Sequence, residues 1–184
     1  MRSPYNFILT PFGSEYNNSN ENGIVVNATI EDSKFVNRIA IVVEVPLNYS
    51  GLIQKGDKVV IHHNVFRTYL DMKGNKKKSR EFFRDDLYIV DPSRIYLYNN
   101  GDGWNSHLDY CFIRPIKKIQ HSEIYNPGNE EDHIGEVVFS NKYLSSNGIN
   151  IGDRIGFTKN SEYLFEIDGE NLYRMRNRDI VIKF

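Results

Sequence analysis

A glycine-aspartate pair ahead of a short aliphatic strand occurs twice in this chain, as Lys55-Gly56-Asp57-Lys58-Val59-Val60-Ile61 and as Ile151-Gly152-Asp153-Arg154-Ile155-Gly156-Phe157. Glycine supplies the left-handed backbone of a tight turn and aspartate hydrogen-bonds its own turn, so each copy reads as a turn feeding a strand. Other features repeat in the same order around the two copies. Phe7-Ile8-Leu9-Thr10-Pro11 and Tyr110-Cys111-Phe112-Ile113-Arg114-Pro115 are apolar strands that end at a proline. Residues 35–45 and 135–139 are the next apolar strands, and each half closes on an isoleucine-led strand, at Ile95 and at Ile180. A period of roughly 90–100 residues is one domain duplicated, whereas solenoid repeats run about 20–50 residues.

The strands between these turns are short, and the chain is rich in tyrosine and phenylalanine, which pack on a pleated surface and lose rotamer freedom in a helix. The expected class is all-β. Asn99-Asn100-Gly101-Asp102-Gly103 breaks the strand pattern, which divides the chain into residues 1–98, a linker at 99–107 and residues 108–184. Trp104, in that linker, is expected to pack the two units together. The formal charge of −1 excludes a broadly basic protein, so a nucleic-acid partner is not expected and any basic site must be local. Cys111 is the only cysteine, which rules out an intrachain disulfide and a cysteine-based zinc site and reads as a core residue. The first residues lack a signal-peptide pattern, and no apolar run approaches the roughly 18 residues of a membrane span. A soluble, cytoplasmic protein with no membrane partner is the expectation.

Two stretches stand apart from the strand pattern. Gly23-Ile24-Val25-Val26 lies between polar residues 13–21 and 27–34, so it is either a buried strand or an apolar segment held out for a partner. Residues 65–90 read as one extended hairpin with a basic tip at Lys73-Gly74-Asn75-Lys76-Lys77-Lys78. That tip, with Tyr69, Phe82 and Phe83 near it, has the composition of a phosphate-backbone contact, but a solvated tip is the plainer reading. His62-His63 is not read as a metal site, because adjacent strand residues point to opposite faces. Asp85-Asp86 and Glu130-Glu131-Asp132 are acidic runs without a second element to make an acid-base pair. No nucleophile triad, phosphate loop or dinucleotide motif is present, so no catalytic residue, metal ligand or cofactor is assigned. Tyr88, Tyr96 and Tyr98 read as barrel or subunit-contact residues.

The second half is similar to the GroES family of ring-forming co-chaperonins. Gly135-Glu136-Val137-Val138, Gly152-Asp153-Arg154-Ile155-Gly156-Phe157, Ile167-Asp168-Gly169-Glu170-Asn171-Leu172-Tyr173 and Asp179-Ile180 follow the family's order and approximate spacing. The first half repeats the outline more loosely through residues 7–11, Gly56-Asp57 and Ile95. The resemblance implies two GroES-like β-barrels in tandem. It also implies a mobile loop after the first strand whose aliphatic tripeptide docks on a GroEL-type chaperonin, here Gly23, Ile24, Val25 and Val26. Weak docking per copy, multiplied around a ring, would give reversible capping. In the family the first strand of one subunit pairs with the last strand of the next, which implies a homo-oligomeric, sevenfold ring with contacts at Phe7, Ile8, Leu9, Ile180, Val181 and Ile182.

The chain departs from the family in three places. The second half has only Ile124-Tyr125-Asn126 where a docking tripeptide would stand, residues 45–55 and 139–151 are too short for the Gly-rich roof hairpin, and the 65–90 hairpin is longer than the family needs. The tandem pair resembles the double-domain chloroplast co-chaperonins, and the compact, Asn- and Lys-rich character resembles phage-encoded co-chaperonins more, which would act in the host cytoplasm. The alternatives are a phage virion or assembly ring built from the same barrels, and a small β-barrel that binds nucleic acid or a ligand.

Overall fold

The structure is a computed structural model that describes residues 1–16, 33, 35–117 and 130–184, together with the backbone of 20–21 and 24–25. The protein is all-β and divides into two compact units, Met1–Trp104 and Asn105–Phe184. In the first part of the chain the strands are β1 (Phe7–Pro11), β2 (Asn20–Glu21), β3 (Ile24–Val25), β4 (Ile39–Glu44) and β5 (Lys58–Ile61). There follow β6 (Thr68–Leu70), β7 (Lys76–Lys78), β8 (Phe82–Arg84), β9 (Leu87–Val90), β10 (Ile95–Asn99) and β11 (Trp104–Ser106). The second part has β12 (Tyr110–Lys117), β13 (Glu130–Phe139), the one-turn helix α1 (Lys142–Ser146), β14 (Arg154–Phe157), β15 (Tyr163–Ile167), β16 (Glu170–Arg176) and β17 (Ile180–Lys183).

The two main sheets have the same wiring. The first runs β10-β5-β4-β1-β9-β8, with β11 added outside β10, and the second runs β17-β14-β13-β12-β16-β15. Corresponding strands come in the same chain order in both, and the pairings are antiparallel. Register is duplicated too. Leu9 lies opposite Val42 and Pro11 opposite Ala40, while Ile113 lies opposite Val137 and Pro115 opposite Gly135, with an irregularity just before Leu9 and just before Ile113. The internal repeat is therefore a repeat of topology. Among the described residues, both ladders are open orders that do not close on themselves.

The Gly-Asp turns set these registers. Gly56 and Gly152 hold φ of +94° and +88°, where an L side chain is strained. Their N–H groups donate to Val42 O and Val137 O at 2.8 Å each, and Val42 N and Val137 N donate back to the Asp57 and Asp153 carbonyls at 2.9 and 3.0 Å. The Asp57 and Asp153 carboxylates each accept a turn N–H, from Gln54 and Asn150, at 2.7 Å. A two-residue turn at Asp168 and Gly169, both at positive φ, joins β15 to β16 as a tight hairpin.

β1 and β12 are covered on both faces, which is why they read as continuous apolar runs. Phe7, Ile8 and Leu9 are at most 2% exposed, as are Cys111, Phe112 and Ile113. The first core gathers Phe7, Phe66 and Tyr88, with the Phe66 and Tyr88 rings edge-on at 4.7 Å. In the second unit Phe112 meets Phe165 edge-on at 5.7 Å. Each such side chain contributes about 1.5–3 kcal/mol when fully buried. Tyr88, Tyr96 and Tyr98 are core residues, and burial pushes the Cys111 thiol up to about 12.

Residues 65–90 differ from the single extended hairpin expected. They form two: β6–β7, a two-stranded ladder of its own, and β8–β9, which belongs to the first sheet. The break lies at residues 79–81, between β7 and β8, and the second hairpin turns at Asp85 and Asp86, whose φ of +48° and +59° make a tight turn without glycine. Among the described residues no helix is long and apolar enough to cross a membrane.

Two outcomes follow. Gly152→Ala should destabilise the protein by about 1–2 kcal/mol, because alanine must adopt the left-handed turn; a urea melt followed by circular dichroism checks it. Burial alone pushes the His107 imidazole down to about 4 from an ordinary 6.5. The folded state therefore resists a proton that the unfolded chain accepts, and stability present above pH 6.5 is lost as pH falls toward 4, by up to about 3 kcal/mol. Melting temperature measured across that window should fall less steeply in His107→Asn.

Candidate functional site

The described residues converge most closely at the root of the segment that joins β1 to β4. Tyr16 and Val36 form an antiparallel bridge that brings the two ends of that segment together. Asn37, 5% exposed, ties the root: its Nδ2 donates to Phe12 O at 2.9 Å and to Ser14 O at 2.8 Å, and its Oδ1 accepts from Ile39 N at 2.9 Å. Asn37 N donates to Glu15 O at 2.9 Å. An asparagine amide offers both donors and an acceptor, so one side chain satisfies three backbone groups that neither strand can pair.

Glu15 and Tyr16 fasten this root to the elements beside it. The Tyr88 hydroxyl donates to Glu15 Oε1 at 2.5 Å, and Lys78 Nζ forms an ion pair with Oε2. Tyr16 Oη accepts from Thr68 N at 2.7 Å. Burial first, and then the Glu15 carboxylate, hold the Tyr88 phenol well above its usual range. An open cleft of about 470 Å³ lies here, lined in part by Pro11, Gly13, Glu15, Tyr16, Lys78 and Asp86. Its Glu15 carboxylate already accepts from Tyr88 and pairs with Lys78, so it presents a filled ion pair rather than a free base.

The second unit repeats the device. Tyr173 occupies the place of Tyr88 in the ladder, since Ile113 lies opposite Tyr173 as Leu9 lies opposite Tyr88. Its hydroxyl donates to Glu130 Oε2 at 2.5 Å, at the start of β13, and burial followed by that carboxylate pushes the phenol up to about 12. Lys117 and Glu130 lie opposite each other where β12 and β13 converge on residues 118–129.

Of the expected docking residues, Gly23 and Val26 lie outside the described residues. Ile24 and Val25 form β3, which among the described residues pairs with β2, Asn20 opposite Val25 and Glu21 opposite Ile24. Their backbone therefore belongs to a local ladder and not to the seven-stranded sheet. The expected oligomer contacts separate into two kinds. Phe7, Ile8 and Leu9 are core residues on β1, whose two edges are occupied by β4 and β9. β1 is therefore an inner strand of its sheet. Ile180, Val181 and Ile182 lie on β17, the edge strand of its sheet, with Val181 and Ile182 more than half exposed.

His62 and His63 are not splayed as on a strand. β5 ends at Ile61 and a 3-10 turn begins at His63, so the rings stack at 4.3 Å. Burial pushes the His63 imidazole down to about 4. Among the described residues no group of three His, Cys, Asp or Glu side chains could hold a metal ion. The acidic runs have structural places: Asp85 and Asp86 in a turn, Glu130 under Tyr173 and Glu131 paired with Arg154. Sequence reasoning missed Glu15, Tyr16 and Asn37, whose partners are far along the chain. No family model matches the chain, and no curated protein matches it.

Asn37→Ala should leave Phe12 O, Ser14 O and Ile39 N without their partner and cost about 3 kcal/mol. Amide exchange of Ile39 and Asn37 should rise more than that of β9, which chemical denaturation alone would not reveal.

Proposed function

We propose that the protein is a co-chaperonin: a tandem of GroES-like barrels that caps a GroEL-type chaperonin ring through Gly23, Ile24, Val25 and Val26 and has no chemistry of its own. The observation that carries this reading is the position of β3. Ile24 and Val25 follow a hydrogen-bonded root at Tyr16 and Val36, and their backbone pairs outside the main sheet. An aliphatic tripeptide on a segment outside the main sheet is the kind of element that docks in a partner's apolar groove. The repeated strand order supports a duplicated scaffold, and the resemblance of residues 135–180 to the GroES family supplies the partner class.

A ring is part of the reading, homo-oligomeric and sevenfold by the same resemblance. Its contact would rest on β17, an edge strand carrying exposed Val181 and Ile182, because β1 has no edge to contribute. Each chain would present one docking segment, and avidity around the ring would compensate for weak single contacts.

Replacing Ile24, Val25 and Val26 together with serine should abolish capture of the protein by a chaperonin with bound nucleotide. Native mass and circular dichroism should stay as in the parent. Undiminished capture by the triple variant would refute the docking assignment.

A further inference from the structure

We propose that the β6–β7 hairpin is a binding site for single-stranded nucleic acid, separate from the docking segment. The two sheets share their wiring, yet residues 62–81 lie between β5 and β8 where residues 158–162 suffice between β14 and β15. Part of this insertion fills the core, through Val65 and Phe66. The hairpin beyond it does not, for β7 is exposed throughout and, among the described residues, pairs with β6 alone.

Its charge is concentrated and largely uncompensated. Residues 73–80 carry Lys73, Lys76, Lys77, Lys78 and Arg80 with no carboxylate among them, in a chain whose formal charge is −1. Lys78 is held by Glu15 and Arg80 by Glu81, whereas Lys73, Lys76 and Lys77 make no ion pair among the described residues. The nearby carboxylate of Asp71 is taken up by the turn, accepting from Lys73 N and Asn75 N at 2.9 Å each. Those bonds, with Asp71 N donating to Asn75 O at 2.9 Å, make a defined tip, and Ser79 Oγ donating to Val65 O at 2.6 Å fixes the hairpin's foot.

The side chains beside the lysines select the partner. Tyr69 is 48% exposed and lies directly opposite Lys77, so ring and ammonium share a face. An exposed ring for a base beside a cation for its phosphate is the pairing that holds single strands without sequence preference. Phe83, also exposed, carries the Arg84 guanidinium 5.3 Å from its ring centre. Guarding an edge against aggregation would not leave Tyr69 and Leu70 exposed. A lipid surface is disfavoured because Tyr69 and Leu70, being successive on β6, point to opposite faces and cannot enter one bilayer together.

The test is fluorescence anisotropy of the full chain with a labelled single-stranded oligothymidylate in rising salt. Binding should weaken with salt, and Lys77→Gln, which removes the cation on the Tyr69 face, should make the log-log slope shallower by about 0.7. Tyr69→Ser should weaken binding about tenfold and leave the slope unchanged. All these positions are exposed, so circular dichroism and melting temperature should match the parent. Absence of salt-dependent binding, or a slope unaltered by Lys77→Gln, would overturn the proposal. Tighter binding to polyglutamate or to phosphatidylserine vesicles than to the oligonucleotide would overturn it as well, by reassigning the hairpin to an acidic protein or a lipid surface.

Discussion

The bond from a left-handed glycine to the neighbouring strand is the constraint on which both sheets depend. Gly56 and Gly152 each place one N–H on a valine carbonyl of the preceding strand, and the aspartate that follows returns the contact. Side chains alternate along a strand, so a slip of one residue would turn every apolar group on the next strand outward. The turn thus decides that Val59 and Ile61, and Ile155 and Phe157, join their units' core clusters, while Val60 is buried on the opposite face of β5. Once β5 and β14 are fixed against β4 and β13, β1 and β12 have one remaining place in each sheet, and their coverage on both faces follows.

What was legible in the sequence is what short-range chemistry writes. Gly-Asp and Asp-Gly pairs marked turns, continuous apolar runs marked the inner strands, and the order of these signals revealed the duplication. Three features escaped for identifiable reasons. Asp85-Asp86 makes a tight turn with no glycine, so two hairpins read as one. Helix α1 is a single turn set by Asn141 capping Leu144 N and by Gly148 at φ +80°, too short for any periodicity to appear. Glu15, Tyr16 and Asn37 depend on partners many residues away, and residue type alone does not announce a long-range polar contact. That β1 is an inner strand, paired with β4 on one side and β9 on the other, was likewise not written in its apolar run, since residue type does not say which strands lie beside it.

The paired tyrosines show how one frame can carry two different segments. Tyr88 and Tyr173 stand at the same ladder position and each donates to a glutamate at the root of the segment between the first two strands of its sheet. A buried phenol bonded to a carboxylate costs little when both groups are satisfied and a good deal when one is removed. The root can therefore be held constant while the residues beyond it vary. In the first unit they include Ile24 and Val25; in the second they do not include a comparable tripeptide.

The first unit differs further in having β6–β7, and its attachment is what joins the two proposed surfaces. Lys78 of β7 pairs with Glu15, and Thr68 of β6 donates to Tyr16, the residue that bridges to Val36. Glu15 thus answers both to the core, through Tyr88, and to the hairpin, through Lys78. An anionic ligand that draws Lys78 toward itself competes with Glu15 for the same ammonium. By thermodynamic linkage, whatever such a ligand does to the root of the docking segment, occupancy of that segment does in return to the hairpin's affinity. The second unit, with residues 158–162 in place of the hairpin, has the tyrosine-glutamate bond at its root without this second attachment.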